Sequence, residues 1–290
     1  MKRTVIDIDY LEKASPLFNG KWGHGLARFL MHFLAIDKVN WAYGRSCDHS
    51  GATFTSGLLK DFGVDYRVGN AERLQQLPQG AFITVSNHPY GALDGIMIID
   101  LIASSRPDYK VMVNQILTLI EAMNDNFISV KPRIGNNPLN PSASFNGVKE
   151  TLLRLKEGHP VGFFPAGGVS FFSLKKFHAI DREWQESILK LIQKAEVPVV
   201  PVRFFDGNSP FFYFLGLINW RVRTLRMAHE MFNKKNKHPR IGIGEIVAPE
   251  QLAQFDDIRS MGAFLRQQVY GMPKPAIYLD KNAFLNRSTE

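Results

Sequence analysis

AFITVSNHPYGALDGIMIIDLIAS, residues 81–104, is the stretch whose reading decides the fold. AFITVS is an apolar run of strand length that ends at Ser86, and DGIMIIDLIAS reads as an apolar helix beginning near Gly95. Between them lies a polar, glycine-containing loop. Working outward, YKVMVNQ (109–115) and FISVKP (127–132) read as further strands, and Phe145, Val148, Leu152 and Leu155 mark a helix that stops near Gly158. PVGFFPAGG (160–168) is a strand running into a glycine turn. Trp184, Ile188, Leu191 and Ile192 form a helical stripe with Asp181 as its expected cap. VPVVPVRFF (197–205) and RIGIGEIV (240–247) are strands, and Ile258, Met261, Leu265 and Val269 close the chain with a helix. This alternation predicts an α/β fold, a mixed central sheet flanked by helices.

Upstream the pattern is helical, so residues 1–70 are expected to form a small N-terminal appendage and residues 71–290 the main domain. Leu26, Phe29, Leu30, Phe33 and Leu34 fall at helical spacing, with Arg28 and His32 off the stripe. Such a helix either packs its stripe on the body or lies in a bilayer surface, and both readings stay open. SPFFYFLGLINWRVRTLR (209–226) poses the same choice: dense in large apolar residues and ending in Arg221, Arg223 and Arg226, it is either core with a basic end or a surface that meets lipid.

The formal charge of +8 suits an anionic partner: nucleic acid, an anionic bilayer or a phosphorylated small molecule. Phe outnumbers Tyr and Trp together, 22 against 8 and 4, which fits lipid contact better than base stacking, and no nucleic-acid partner is expected. The lone cysteine, Cys47, rules out an intrachain disulfide and a cysteine-built zinc site, and no metal is expected elsewhere. MKRTVIDIDYLEKASP does not read as a signal peptide, and no run reaches the roughly 18 apolar residues of a membrane span. Peripheral attachment at the cytoplasmic face of an inner membrane is the expectation.

The chemistry concentrates in SNHPYGALDG (86–95). Histidine is suited to take a proton near neutral pH, and a carboxylate on its other ring nitrogen fixes the tautomer and stabilises the imidazolium. His88 and Asp94 are therefore the candidate general base, although Asp94 could equally cap the following helix.

Four segments, in order, carry a resemblance. SNHPYGALDG, FISVKPR (127–133), FFPAGGVS (163–170) and VPVVPVRF (197–204) resemble the four motifs of the glycerolipid acyltransferase family, over roughly residues 70–250. The resemblance implies an acyltransferase in which His88 and Asp94 are catalytic. It also associates Arg133 with the phosphate or head group of the acceptor. Lys131 joins Arg133 as head-group or carrier binding, with solvated charges the competing reading. Asn87 is assigned to the substrate, and the amides of Gly167, Gly168 and Val169 are candidate donors to a developing oxyanion, with a simple strand-to-helix turn the equally good reading. Ser170 assists or caps.

Two departures point to a branch. Five residues separate His88 from Asp94 where the family has four, and Ala166 stands where the family has glutamate. The sequence resembles the haemolysin-like branch, which includes O-acyltransferases of ornithine and glycine lipids. This implies a lyso-aminolipid acceptor bearing a 3-hydroxy fatty-acid hydroxyl, with acyl-carrier protein or acyl-CoA as co-substrate, no cofactor and a membrane surface as partner. A 1-acylglycerol-3-phosphate acyltransferase, an acyl hydrolase and a non-catalytic lipid-binding or haemolysin-like protein are the alternatives.

Overall fold

A computed structural model describes residues 2–130 and 141–281. The chain begins with α1 (Ile8–Ala14), α2 (Gly20–Phe33), α3 (Ile36–Ser46) and α4 (Gly51–Phe62), then β1 (Arg67–Gly69), β2 (Ile83–Ser86) and α5 (Ala92–Ile102). Next come β3 (Lys110–Asn114), β4 (Phe127–Val130), α6 (Pro141–Lys156), β5 (Val161–Phe163), β6 (Phe171–Ser173), β7 (His178–Ile180) and α7 (Glu186–Ala195). The chain continues through β8 (Val199–Phe204), α8 (Pro210–Ile218), α9 (Trp220–Leu225), α10 (Met227–Phe232) and β9 (Arg240–Ile243). It ends with α11 (Pro249–Leu252), α12 (Ile258–Tyr270) and β10 (Tyr278–Asp280).

Among the described residues, eight strands form one sheet in the order β10-β1-β9-β8-β2-β5-β3-β4. It is mixed: β8, β2, β5, β3 and β4 run parallel, while β9 lies antiparallel to β8 and β10 antiparallel to β1. The α/β fold with helix-flanked mixed sheet read from the sequence is the fold found. Strand alternation divides the apolar side chains between two cores. Val200, Val202 and Phe204 join α3, α4 and α5 on one face, and Ile83, Val85 and Val199 join α7 and α12 on the other. β1, residues 67–69, lies inside the stretch read as the helical appendage and is a strand of this sheet.

A buried carboxylate ties the N-terminal helices to the sheet. Asp100 on α5 accepts from Tyr66 Oη at 2.8 Å and Thr55 Oγ1 at 3.3 Å, and Lys281 pairs with it at 2.7 Å. Burying a charge is tolerated when it is paired and hydrogen-bonded in this way.

Two segments left open in the sequence turn their aromatics outward. α2 packs by its small residues, Gly23 and Ala27, while Trp22, Phe29 and Phe33 stand 95%, 62% and 63% exposed. α8 and α9 bury Phe212, Tyr213 and Arg223 and expose Phe214, Ile218 and Trp220. His229 on α10 bonds the Phe33 carbonyl at 2.7 Å, which brings the end of α2 to the helices that follow α9. No helix among the described residues is long and apolar enough to cross a membrane.

One expected cap is corrected. α7 begins at Glu186 with Gln185 as its N-cap, four residues beyond the start that Asp181 would have set. The Asp181 carboxylate is drawn inward by stronger demands, described next.

Candidate active site

Adjacent parallel strands β5, β2 and β8 deliver their C-terminal ends to one place, where α/β proteins set their ligands. β2 ends at Ser86, and the loop from Asn87 to Gly91 crosses this crevice before α5 begins. Gly91 takes φ +83° as the N-cap of α5, a conformation that side chains other than glycine rarely adopt. A Cβ there would also come within 2.7 Å of Met227 Sδ and 3.0 Å of a Val169 methyl.

This turn brings Asp94, third residue of the helix, back onto its own N-terminus. Asp94 Oδ2 accepts the amides of Tyr90 at 2.8 Å and Gly91 at 2.9 Å and lies 3.0 Å from His88 Nδ1. Asp94 therefore caps the helix and also lies beside the His88 ring. The His88 N–H direction is off line for a well-formed hydrogen bond despite the separation, and Asp94 Oδ1 has no partner among the described residues. Catalytic bonds commonly align only once substrate is bound. Asp94 is fully buried, and burial raises its pKa against the opposing pull of His88 and the two amides.

His88 is oriented from three sides. Its ring lies against Phe164 with centroids 4.2 Å apart. Its amide donates to Asp181 Oδ2 at 3.0 Å, and its carbonyl accepts the Ser170 amide at 2.9 Å. Nδ1 is closed to solvent although 18% of the side chain is open, so the ring presents Nε2 to an incoming group. The rest of the loop is equally committed. Tyr213 Oη donates to the Pro89 carbonyl at 3.4 Å, and Asn208 donates to the Tyr90 carbonyl at 3.2 Å. A loop whose backbone groups are held at this many points is preorganised.

The other residues expected at the site divide into groups. Gly167 and Gly168 form the turn beyond β5, and the loop continues to Ser170 beneath His88. Gly167, at φ +65°, spends its amide on the Phe164 carbonyl at 2.9 Å, and a Cβ there would collide with Gln185. Ser170 spends its amide on His88 and its hydroxyl on Asp181. Among the described residues, the Gly168 and Val169 amides meet no acceptor. Asn87 has both ends of its amide on one peptide: Nδ2 donates to the Phe204 carbonyl and Oδ1 accepts the Phe204 amide, each at 2.8 Å. It pins the His88 loop to the end of β8. Lys131 and Arg133 lie outside the described residues.

Two site residues escaped the sequence reading. Asp181, only 2% exposed, bridges His88 and Ser170 from 93 and 11 positions away in the chain, and its helix-cap spacing disguised it. Arg223, 8% exposed, reaches from α9 to donate from Nη1 to the Ser170 carbonyl at 3.0 Å. Within a run of arginines nothing in the sequence separates it from its exposed neighbour Arg221.

A buried carboxylate lies behind one imidazole nitrogen in a crevice at strand ends, an arrangement chemically suited to taking a proton from a hydroxyl. The sequence pattern of a family described as acyltransferase matches residues 10–279, and the chain belongs to that family. Two curated relatives share its length. A lyso-glycine lipid O-acyltransferase of Bacteroides thetaiotaomicron is 27% identical over 251 residues, 81% of this chain and 84% of that protein. One of the same description from Phocaeicola vulgatus is 25% identical over 272 residues, 87% of this chain and 92% of that protein.

Proposed function

We propose that the enzyme transfers a fatty acyl group from a thioester carrier, acyl-carrier protein or acyl-CoA, to the hydroxyl of a lyso-aminolipid of the glycine- or ornithine-lipid type. The observation that carries this reading is the 3.0 Å contact of His88 Nδ1 with buried Asp94, which leaves Nε2 for the acceptor. Nε2 takes the proton of the acceptor hydroxyl, whose oxygen attacks the thioester carbonyl. The carbon–sulfur bond breaks, and the imidazolium returns the proton to the departing thiolate. Asp94 holds the tautomer and stabilises the imidazolium. The Gly168 and Val169 amides, uncommitted among the described residues, are the donors for the oxyanion.

The names of the two relatives favour a lyso-lipid acceptor of the glycine type. Ala166 leaves the loop beyond β5 without the glutamate that marks the glycerol-phosphate motif. Lys131 and Arg133 are assigned to the head group or the carrier, Asn87 to positioning the loop, and the exposed aromatics of α2, α8 and α9 to the cytoplasmic surface of a membrane. A net charge of +8 complements both an acidic carrier and anionic lipid.

Purified protein given labelled acyl-carrier protein or acyl-CoA and a panel of lyso-lipids tests the reading. Label should appear in an ester of the N-acyl amino-acid lipid, and His88→Ala should abolish it while leaving vesicle binding intact. Acylation of lysophosphatidic acid alone overturns the acceptor, and release of free fatty acid with every acceptor overturns the transfer.

A further inference from the structure

Among the described residues, Arg223 is a buried cation with no acidic partner. Its Nη1 bonds a neutral carbonyl, that of Ser170. Neither Nε nor Nη2 has an acceptor among the described residues, and Nε is sealed from solvent. Outside the described residues, the sequence holds a single acidic side chain, Glu290. The acid of the same network, Asp181, is separated from Arg223 by Ser170 and is already engaged by Ser170 Oγ and the His88 amide. Burial lowers the pKa of Arg223, and the positive charge of Arg182 lowers it further.

An unpaired buried charge is expensive, and a protein keeps one where a ligand completes it. The surroundings make room for this side chain in particular. Gly216 on α8 lies under its stem, where a Cβ would come within 2.7 Å of Arg223 Cδ. The Phe212 ring lies 5.2 Å from the guanidinium carbon. The position is also set relative to the chemistry: Arg223 holds the Ser170 carbonyl, and the Ser170 amide holds the His88 carbonyl. α9 therefore turns one cation inward beside the base while Trp220, Val222 and Leu225 face outward.

Resting on the proposed acyl transfer, we infer that Arg223 binds the carboxylate of an N-acylated amino-acid head group and so fixes which hydroxyl reaches His88. A phosphate of the acyl carrier would satisfy the same guanidinium, and the experiment distinguishes the two sources.

The test compares an N-(3-hydroxyacyl)glycine acceptor with its primary carboxamide, at saturating acyl donor, in the natural protein and in Arg223→Gln and Arg223→Lys. The natural protein should prefer the acid by about 10- to 100-fold in kcat/KM, the range of hydrogen bonds to a charged group. Arg223→Gln should abolish the preference, so that acid and carboxamide are used at the same kcat/KM, and Arg223→Lys should restore part of the preference. Equal use of acid and carboxamide by the natural protein overturns the inference without requiring any variant to fold. It is also overturned if Arg223→Gln keeps the preference and instead raises KM for the donor, or lowers both acceptors alike. Failure of the natural protein to acylate either compound overturns the proposed function itself, and the inference with it.

Discussion

The oxygen of Asp94 that faces His88 Nδ1 at 3.0 Å is the same oxygen that accepts the Tyr90 and Gly91 amides. One atom thus caps α5 and faces the imidazole, so the helix start and the His88–Asp94 geometry cannot be varied separately. The five-residue spacing from His88 is accommodated because Gly91 reverses the chain at positive φ before the helix begins.

Replacing Asp94 with asparagine should separate stability from activity. The asparagine oxygen still accepts the two amides, but it bears no charge to stabilise an imidazolium, and kcat should fall about 10²- to 10⁴-fold. Burial raises the Asp94 pKa, so the folded state favours the protonated form and ionisation opposes folding. This penalty is absent at pH values below the unfolded carboxylate pKa of about 4 and grows as pH rises to the folded pKa. Asp94→Asn should therefore melt at or above the natural protein at pH 8, with the advantage shrinking toward pH 4. A Tm below the natural protein's at pH 8 would contradict this.

Gly91→Ala should damage chemistry beyond its effect on folding. Holding alanine at φ +83° costs about 1–3 kcal/mol. The new Cβ also presses on Met227 and Val169, and the loop has to shift between His88 and Asp94. A displacement near 1 Å at such a site lowers turnover by about 100-fold. Steady-state rates beside a melting curve check it, and full activity in a folded variant would show that the turn tolerates a side chain.

The α/β alternation and the His88–Asp94 pair were legible because they rest on local pattern: β-branched runs, helical stripes and one loop. What stayed hidden depends on contacts between distant segments. Asp181 looks like a helix cap, yet the buried His88 amide and Ser170 hydroxyl claim its carboxylate, and α7 starts later. From the sequence Asn87 is assigned to the substrate, and the match of its amide to the Phe204 peptide, 117 positions away, could not be read from its neighbours in the chain. The exposure of the α2 aromatics was undecidable from periodicity, since a stripe at helical spacing does not say which side packs. Gly23 and Ala27 are buried instead, and Gly23 lies against the Phe18 backbone with no room for a Cβ.

Asp181→Ala should lower stability more than Asp181→Asn. Alanine leaves the His88 amide and Ser170 hydroxyl buried without an acceptor, at about 2–4 kcal/mol together. At roughly 2 °C per kcal/mol for a chain of this size, Tm should drop by about 4–8 °C. Asparagine retains one acceptor oxygen and should fall between. Indistinguishable melting curves for all three proteins would mean that the bridge contributes nothing to the fold.

The outward aromatics should govern attachment without touching chemistry. Trp22, Phe29 and Trp220 are largely exposed, so truncating them removes little packing and should leave Tm within about 1 °C. Moving one such ring from water into a bilayer interface contributes on the order of 1.5–3 kcal/mol, so each alanine should weaken vesicle binding by about tenfold or more. Lys21, Arg28 and Arg221 lie on the same elements and add attraction for anionic lipid, which salt screens. Binding should therefore be tighter to vesicles containing anionic lipid and weaken between 50 and 500 mM salt, concentrations chosen to span about a threefold change in screening length. Turnover of a water-soluble short-chain acceptor should stay at the natural level in all three variants, because none of these side chains reaches His88. If Trp22→Ala, Phe29→Ala and Trp220→Ala bind vesicles as tightly as the natural protein, the exposed face of α2 and α9 is not the surface that meets lipid.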